Sequence, residues 1–165
     1  MKKIIVVIML LLPLGIVAQE LKIAFVNARD VFNLMPEANQ MELELAALNT
    51  KNRAFLTGLN DELEQKTNDF YSQQDTLTEN IKNMLYQDII GIQTRIENFR
   101  QSAEQEYEAT YEKLYMPILE KLTNAIDQVG DENGYTFIIN PEALLYKSKT
   151  SIDATDKVKA KLGIQ

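Results

Sequence analysis

The 165-residue chain contains no cysteine and no histidine. Their absence removes the commonest general base, the soft metal ligands and the thiolate nucleophile together. Neither a G-x-S-x-G elbow nor a phosphate-binding glycine loop is present. Carboxylate pairs remain, such as Asp61 with Glu62 and Glu64, but a thin helical element offers them no enclosed pocket that would shift their pKa values. No catalytic residue, metal ligand or cofactor is therefore expected. The missing cysteines also leave a chain that must be held together by packing alone.

Proline and glycine are scarce as well, with four and six residues. Between Pro36 and Asn133 the only proline is Pro117, and glycine occurs only at Gly58, Gly91 and Gly130. Such a stretch is helical territory. Its first half carries Met41, Leu45, Leu48, Asn52, Phe55, Leu59, Leu63 and Phe70 at mostly alternating steps of four and three, one narrow seam of the coiled-coil kind with a stutter expected near Leu63. The second half repeats the pattern with Leu85, Ile89, Ile92, Ile96, Phe99 and Ala103, continuing through Tyr107, Tyr111, Leu114, Ile118, Leu122, Ile126 and Val129. The polar segment Ser72–Asn80 is the natural turn between them. Thr76-x-x-Glu79 within it reads as a capping box opening the second helix. Two helices of about 40 residues make a hairpin roughly 60 Å long.

Short runs rich in β-branched and aromatic residues flank this hairpin. Lys22–Asn27 and Tyr135–Asn140 read as strands, as does Leu144–Ser148, and Asn133-Gly134 supplies the left-handed stop for the second helix. Asp153 caps a last helix that places Val158 and Leu162 on one face. Three short strands and a short helix bury too little to stand alone, so a shared oligomeric body is expected, with Ile23, Phe25, Phe137 and Ile139 as its contact residues. Pro117 falls where the second helix should enter that body, and a bend there would redirect the arm without ending the helix.

The amino-terminal residues follow a different plan. Lys2 and Lys3 precede an apolar run from Ile4 to Leu12, then Pro13, Gly15 and Ala18, the layout of a secretory signal cleaved after Ala18. The run is too short to span a bilayer. Residues 19–165 then carry 15 basic against 24 acidic residues, a net charge of −9. That charge disfavours nucleic acid and anionic membranes. Glu104, Glu106, Glu108 and Glu112 form an acidic run read as a solvated face, while Lys147, Lys149, Lys157, Lys159 and Lys161 gather near the carboxyl end.

These pieces resemble the OmpH/Skp family of periplasmic chaperones for outer-membrane proteins. The resemblance is carried by KIAFVNARDVF, the long hairpin, GYTFII, ALLY and SIDATDKVKAKL, whose Asp153, Thr155, Val158 and Leu162 match a closing element of the family. It implies a mostly α, α+β fold: a signal at 1–18, a β-rich body from 19–35 and 133–165, and a helical-hairpin tentacle at 36–132 with its tip near 72–80 and its bend near 117. It further implies a periplasmic homotrimer that holds unfolded outer-membrane proteins in a cavity between its arms, without ATP. Apolar residues off the seams, Leu56, Tyr86 and Ile90, with Tyr71 near the tip and Tyr115 near the bend, are the expected client contacts. Family members with basic tentacles are thought to bind lipopolysaccharide, but the charge here is of the opposite sign. Contact with lipopolysaccharide or a membrane is not expected, and capture should lean on apolar surface. The competing reading is an exported coiled-coil scaffold or adaptor of the cell envelope, whose seams would be zipped shut.

Overall fold

The computed structural model describes residues 21–164, so the signal expected at 1–18 and its cleavage after Ala18 lie outside the described residues. The chain opens with strand β1 (Ile23–Phe25) and a short helix α1 (Ala28–Leu34), which the sequence reading placed within a β-rich segment. Both ends of α1 have local causes. The Asn27 side chain accepts from the Asp30 amide, capping the start. Met35 is extended (φ −69°, ψ 131°) because Pro36 follows and disfavours helical geometry in the residue before it.

Pro36 then occupies the first turn of α2 (Pro36–Gln73), where a missing N–H has no consequence. The turn at 74–78 leads into α3 (Glu79–Asn133). The expected capping box does not form. The Thr76 hydroxyl donates back to the Gln73 carbonyl at 2.9 Å, and Thr78, extended at the cap position, makes no side-chain cap bond. At 1.5 Å per residue the 38 residues of α2 and 55 of α3 run roughly 57 and 80 Å.

Residues early in α2 meet residues late in α3. Glu37 pairs with Lys121, the Phe55 and Phe99 rings lie 4.4 Å apart, and Arg95 reaches Glu62 at 3.4 Å. The buried seam follows the expected spacing at Leu45, Asn52 and Leu59 on α2, and at Ile89, Ile92, Ile96, Ile118, Leu122 and Val129 on α3. It slips once. Phe55, expected on the seam, is exposed, and Leu56 is half-buried against Leu59, Ile92 and Ile96. An extra step of four falls between Asn52 and Leu56, since a helix of 3.6 residues per turn stays in phase only by adding such steps. Beyond Leu63, where the stutter was expected, both Lys66 and Thr67 are half-buried. A similar drift leaves Tyr111 exposed and turns Thr110 inward.

Gly134 ends α3 in the left-handed region (φ 62°), which a residue without Cβ enters at little cost. Strand β2 (Phe137–Ile139) follows, then a 3-10 turn (Pro141–Ala143), strand β3 (Ile152–Asp153) and α4 (Thr155–Leu162). The sheet is parallel throughout, in the order β2-β1-β3. The third strand expected at Leu144–Ser148 is not formed: that stretch is irregular, and β3 lies further on. Parallel pairing explains the difference, because the chain must cross back before a third strand can run in the same direction as β1. Asp153 accepts from the Thr155 amide at 2.9 Å and so caps α4 as expected. One sheet face, through Ala24 and Ile138, packs with Val31, Met35, Ile118, Leu122, Val129 and Val158 into the main core.

Candidate functional site

Among the described residues, the helices gather on the Ala24 and Ile138 face of the sheet, and no core cluster forms on the other face. Register places Ile23 beside Phe137 and Phe25 beside Ile139, so all four expected contact residues point the same way. Ile23 is 42% exposed and Phe137 56% exposed. Phe25 is buried instead, with the Lys147 ammonium 3.6 Å from its ring centroid. Leu145 and Tyr146, in the irregular stretch before β3, project almost wholly into solvent. Large apolar side chains grouped this way form a surface that is costly to leave in water.

Along the long helices a second apolar surface has a different character. It is made of scattered side chains: Leu43, Phe55 and Tyr71 on α2, and Ile81, Met84, Tyr86, Ile90, Tyr111 and Met116 on α3 are all exposed. Four of the five expected client contacts differ in their surroundings. Tyr86 and Ile90 stand four apart and face solvent, and Tyr71 at the turn touches the Phe70 ring edge-on at 5.5 Å. Tyr115 is half-buried between the Phe32 ring at 5.5 Å and the Tyr111 ring at 5.2 Å. Leu56, the fifth, packs into the smaller core at Leu59, Ile92 and Ile96.

Pro117 lies within α3, which continues through it to Asn133. Having no N–H, Pro117 leaves the Lys113 carbonyl four residues earlier without its usual donor. Beside it, Met41, Leu114 and Ile118 floor an open recess rimmed by Glu37, Glu44, Lys113 and Lys121. The Lys121 ammonium donates to the Glu37 carboxylate, and this hydrogen bond holds the Glu37 pKa below its ordinary value of 4.5.

Between Ile96 and Ile118 no residue of α3 is buried, and there the two helices separate enough for two adjoining concavities of about 390 Å³ each. Asn49 and Tyr107 border both. Small and polar seam residues explain the opening, since Ala103 and Asn52 cannot fill the space a leucine pair would. The seam spacing made this region read as continuous packing, so the groove was not anticipated from the sequence; the clue was the placement of Asn52 opposite Ala103.

Charge is divided between the two ends. Residues 36–132 contain 8 basic and 19 acidic residues, whereas 21–35 with 133–164 contain 7 basic and 4 acidic. Several lysines of the basic end are engaged: Lys161 with Glu132, Lys157 with Asn133 and Lys159 with Asp156. Among the described residues no group of three or more acidic, histidine or cysteine side chains is placed to hold a metal ion.

Comparison with known proteins fits this architecture. A family model described as Outer membrane protein (OmpH-like) matches residues 22–162. An OmpH-like protein of Caulobacter crescentus CB15, proposed to be an outer membrane chaperone, has a solved structure that superposes with a TM-score of 0.74 at 18% identity, over 85% of this chain and 82% of that one. No curated protein is matched.

Proposed function

The chain belongs to the OmpH-like outer membrane protein family, and from that premise we propose that it is an ATP-independent periplasmic holdase for unfolded outer-membrane proteins. The observation that carries this reading is the exposed apolar surface along two long helices, which beyond their root among the sheet and short helices pack on each other. A folded scaffold would bury Met84, Tyr86 and Ile90 or replace them with polar residues. Scattered apolar contacts on a long support suit an unfolded barrel, whose apolar segments alternate with polar ones and whose backbone is unpaired. Each contact is weak, so the client is kept from its own kind and still released.

In this proposal the two long helices form an antiparallel arm, and the open sheet face is the body through which three copies join. Ile23, Phe137 and Ile139, with Leu145 and Tyr146 nearby, would be covered by neighbouring copies, removing from water the apolar surface that one chain leaves bare. Pro117 would set the angle at which the arm leaves the body. The acidic arm implies that capture rests on apolar contact rather than on attraction to acidic clients. Dilution of a urea-unfolded outer-membrane barrel into buffer tests the reading: the purified protein should suppress the rise in turbidity at near-equimolar trimer. Unchanged turbidity would reject the holdase function and favour the scaffold.

A further inference from the structure

Asn52 lies on the seam between the long helices and is only 8% exposed. Its side chain makes no hydrogen bond to any described residue, yet no buried side-chain nitrogen or oxygen is without a partner among them. The Asn52 amide is therefore reached from outside, through the concavity it borders with Asn49, Leu56 and Tyr107. A buried asparagine in a helix pair commonly fixes register by bonding a partner across the seam. Among the described residues no such partner is present. An amide that is nearly buried, open to a groove and without a hydrogen-bond partner among the described residues has donors and an acceptor left for a ligand that brings its own hydrogen-bonding groups.

The groove indicates the ligand's shape. Its two concavities continue from Ala38 to Leu56 along α2, about 27 Å at 1.5 Å per residue. An extended polypeptide of about eight residues covers that length. The floor is apolar at Phe32, Met41, Leu45 and Tyr107, and the asparagine amides at its edges offer both donors and acceptors, matching a peptide backbone whatever its sequence. Glu42 and Glu104 border the groove without an ion pair among the described residues, although Arg53 and Arg100 stand at its turn-proximal end. With 19 acidic against 8 basic residues between 36 and 132, the surrounding field favours a segment bearing lysine or arginine.

Resting on the holdase reading, we propose that this groove is a client subsite: Asn52 and Asn49 bond the backbone of an extended, lysine- or arginine-bearing segment of the unfolded protein, and the floor takes its alternate apolar side chains. The absence of cysteine allows a single probe. The full chain with Asn49→Cys, carrying a benzophenone, is mixed with a urea-unfolded outer-membrane barrel. Cross-linking to the barrel is expected, competed by an octapeptide of alternating valine and lysine and not by its valine–glutamate counterpart. Asn52→Leu fills the seam and should raise thermal stability while weakening barrel binding about tenfold, so that loss of binding is not loss of fold. Cross-linking only to a second copy, equal competition by the glutamate peptide, or undiminished binding by Asn52→Leu would each overturn the subsite. A wild-type protein that holds no barrel at all would instead reject the holdase reading on which it rests.

Discussion

Glu37, in the first turn of α2, is ion-paired with Lys121, four residues beyond Pro117 in α3. The pair ties the root of one long helix to the other just past the residue that interrupts its backbone hydrogen bonding. It also gives the root a pH dependence. Glu37 has a depressed pKa in the folded state, so its contribution is present above the ordinary value of 4.5 and is lost as pH falls through the lower folded value. Thermal unfolding followed between pH 7 and 3 should therefore show Glu37→Gln converging on wild type at the acid end. Both side chains are nearly half exposed, so the separation at pH 7 should stay below about 1 kcal/mol. A constant offset across the range would assign the effect to something other than this carboxylate.

Replacing Pro117 with alanine restores a donor for the Lys113 carbonyl and removes the ring from the helix interior. The substitution should stabilise the isolated helix and leave oligomer mass unchanged. If Pro117 sets the departure of the arm, barrel holding should fall several-fold and the radius of gyration from solution scattering should change. Unaltered scattering and holding would mean the proline is merely tolerated.

Tyr86 and Ile90 face solvent on α3, away from the seam. Converting both to serine should change stability by less than about 1 kcal/mol, as is usual for surface positions outside special features. Barrel holding should weaken measurably. Large destabilisation would show that these side chains pack against a neighbouring arm.

Phe137 is the sharper probe of assembly, because Phe25 is already buried within one chain and its loss would disturb the monomer itself. Phe137→Asp places a charge on the open sheet face, where assembly would have to desolvate it. Sedimentation should report smaller species with retained helical circular dichroism. A full-sized oligomer would move the interface elsewhere.

Much of this architecture can be read from residue order because its signals are local and repeated. The two seams, the Gly134 stop and the Asp153 cap each depend on neighbours a few residues away. The short helix α1 had comparable signals in Asn27-x-x-Asp30 and Met35-Pro36, which the β-like run before it obscured. Strand β3 could not be read in that way. Two residues, Ile152 and Asp153, pair with Ala24 and Phe25 more than 120 positions earlier, whereas the more strand-like Leu144–Tyr146 pairs with no strand among the described residues. The groove beside Asn52 comes from small and polar side chains facing each other, and the phase slip next to it, which leaves Phe55 half out and draws Leu56 in, is not visible in regular spacing.

The central claim is that this protein assembles and then encloses an unfolded client. Light scattering coupled to size exclusion, on the purified chain beginning at Gln19, alone and after dilution of a urea-unfolded outer-membrane barrel into it, tests that claim most directly. The account predicts a trimer alone, and a discrete soluble species with the mass of one trimer plus one barrel when the client is present. A trimer that elutes unchanged while the barrel aggregates would contradict it.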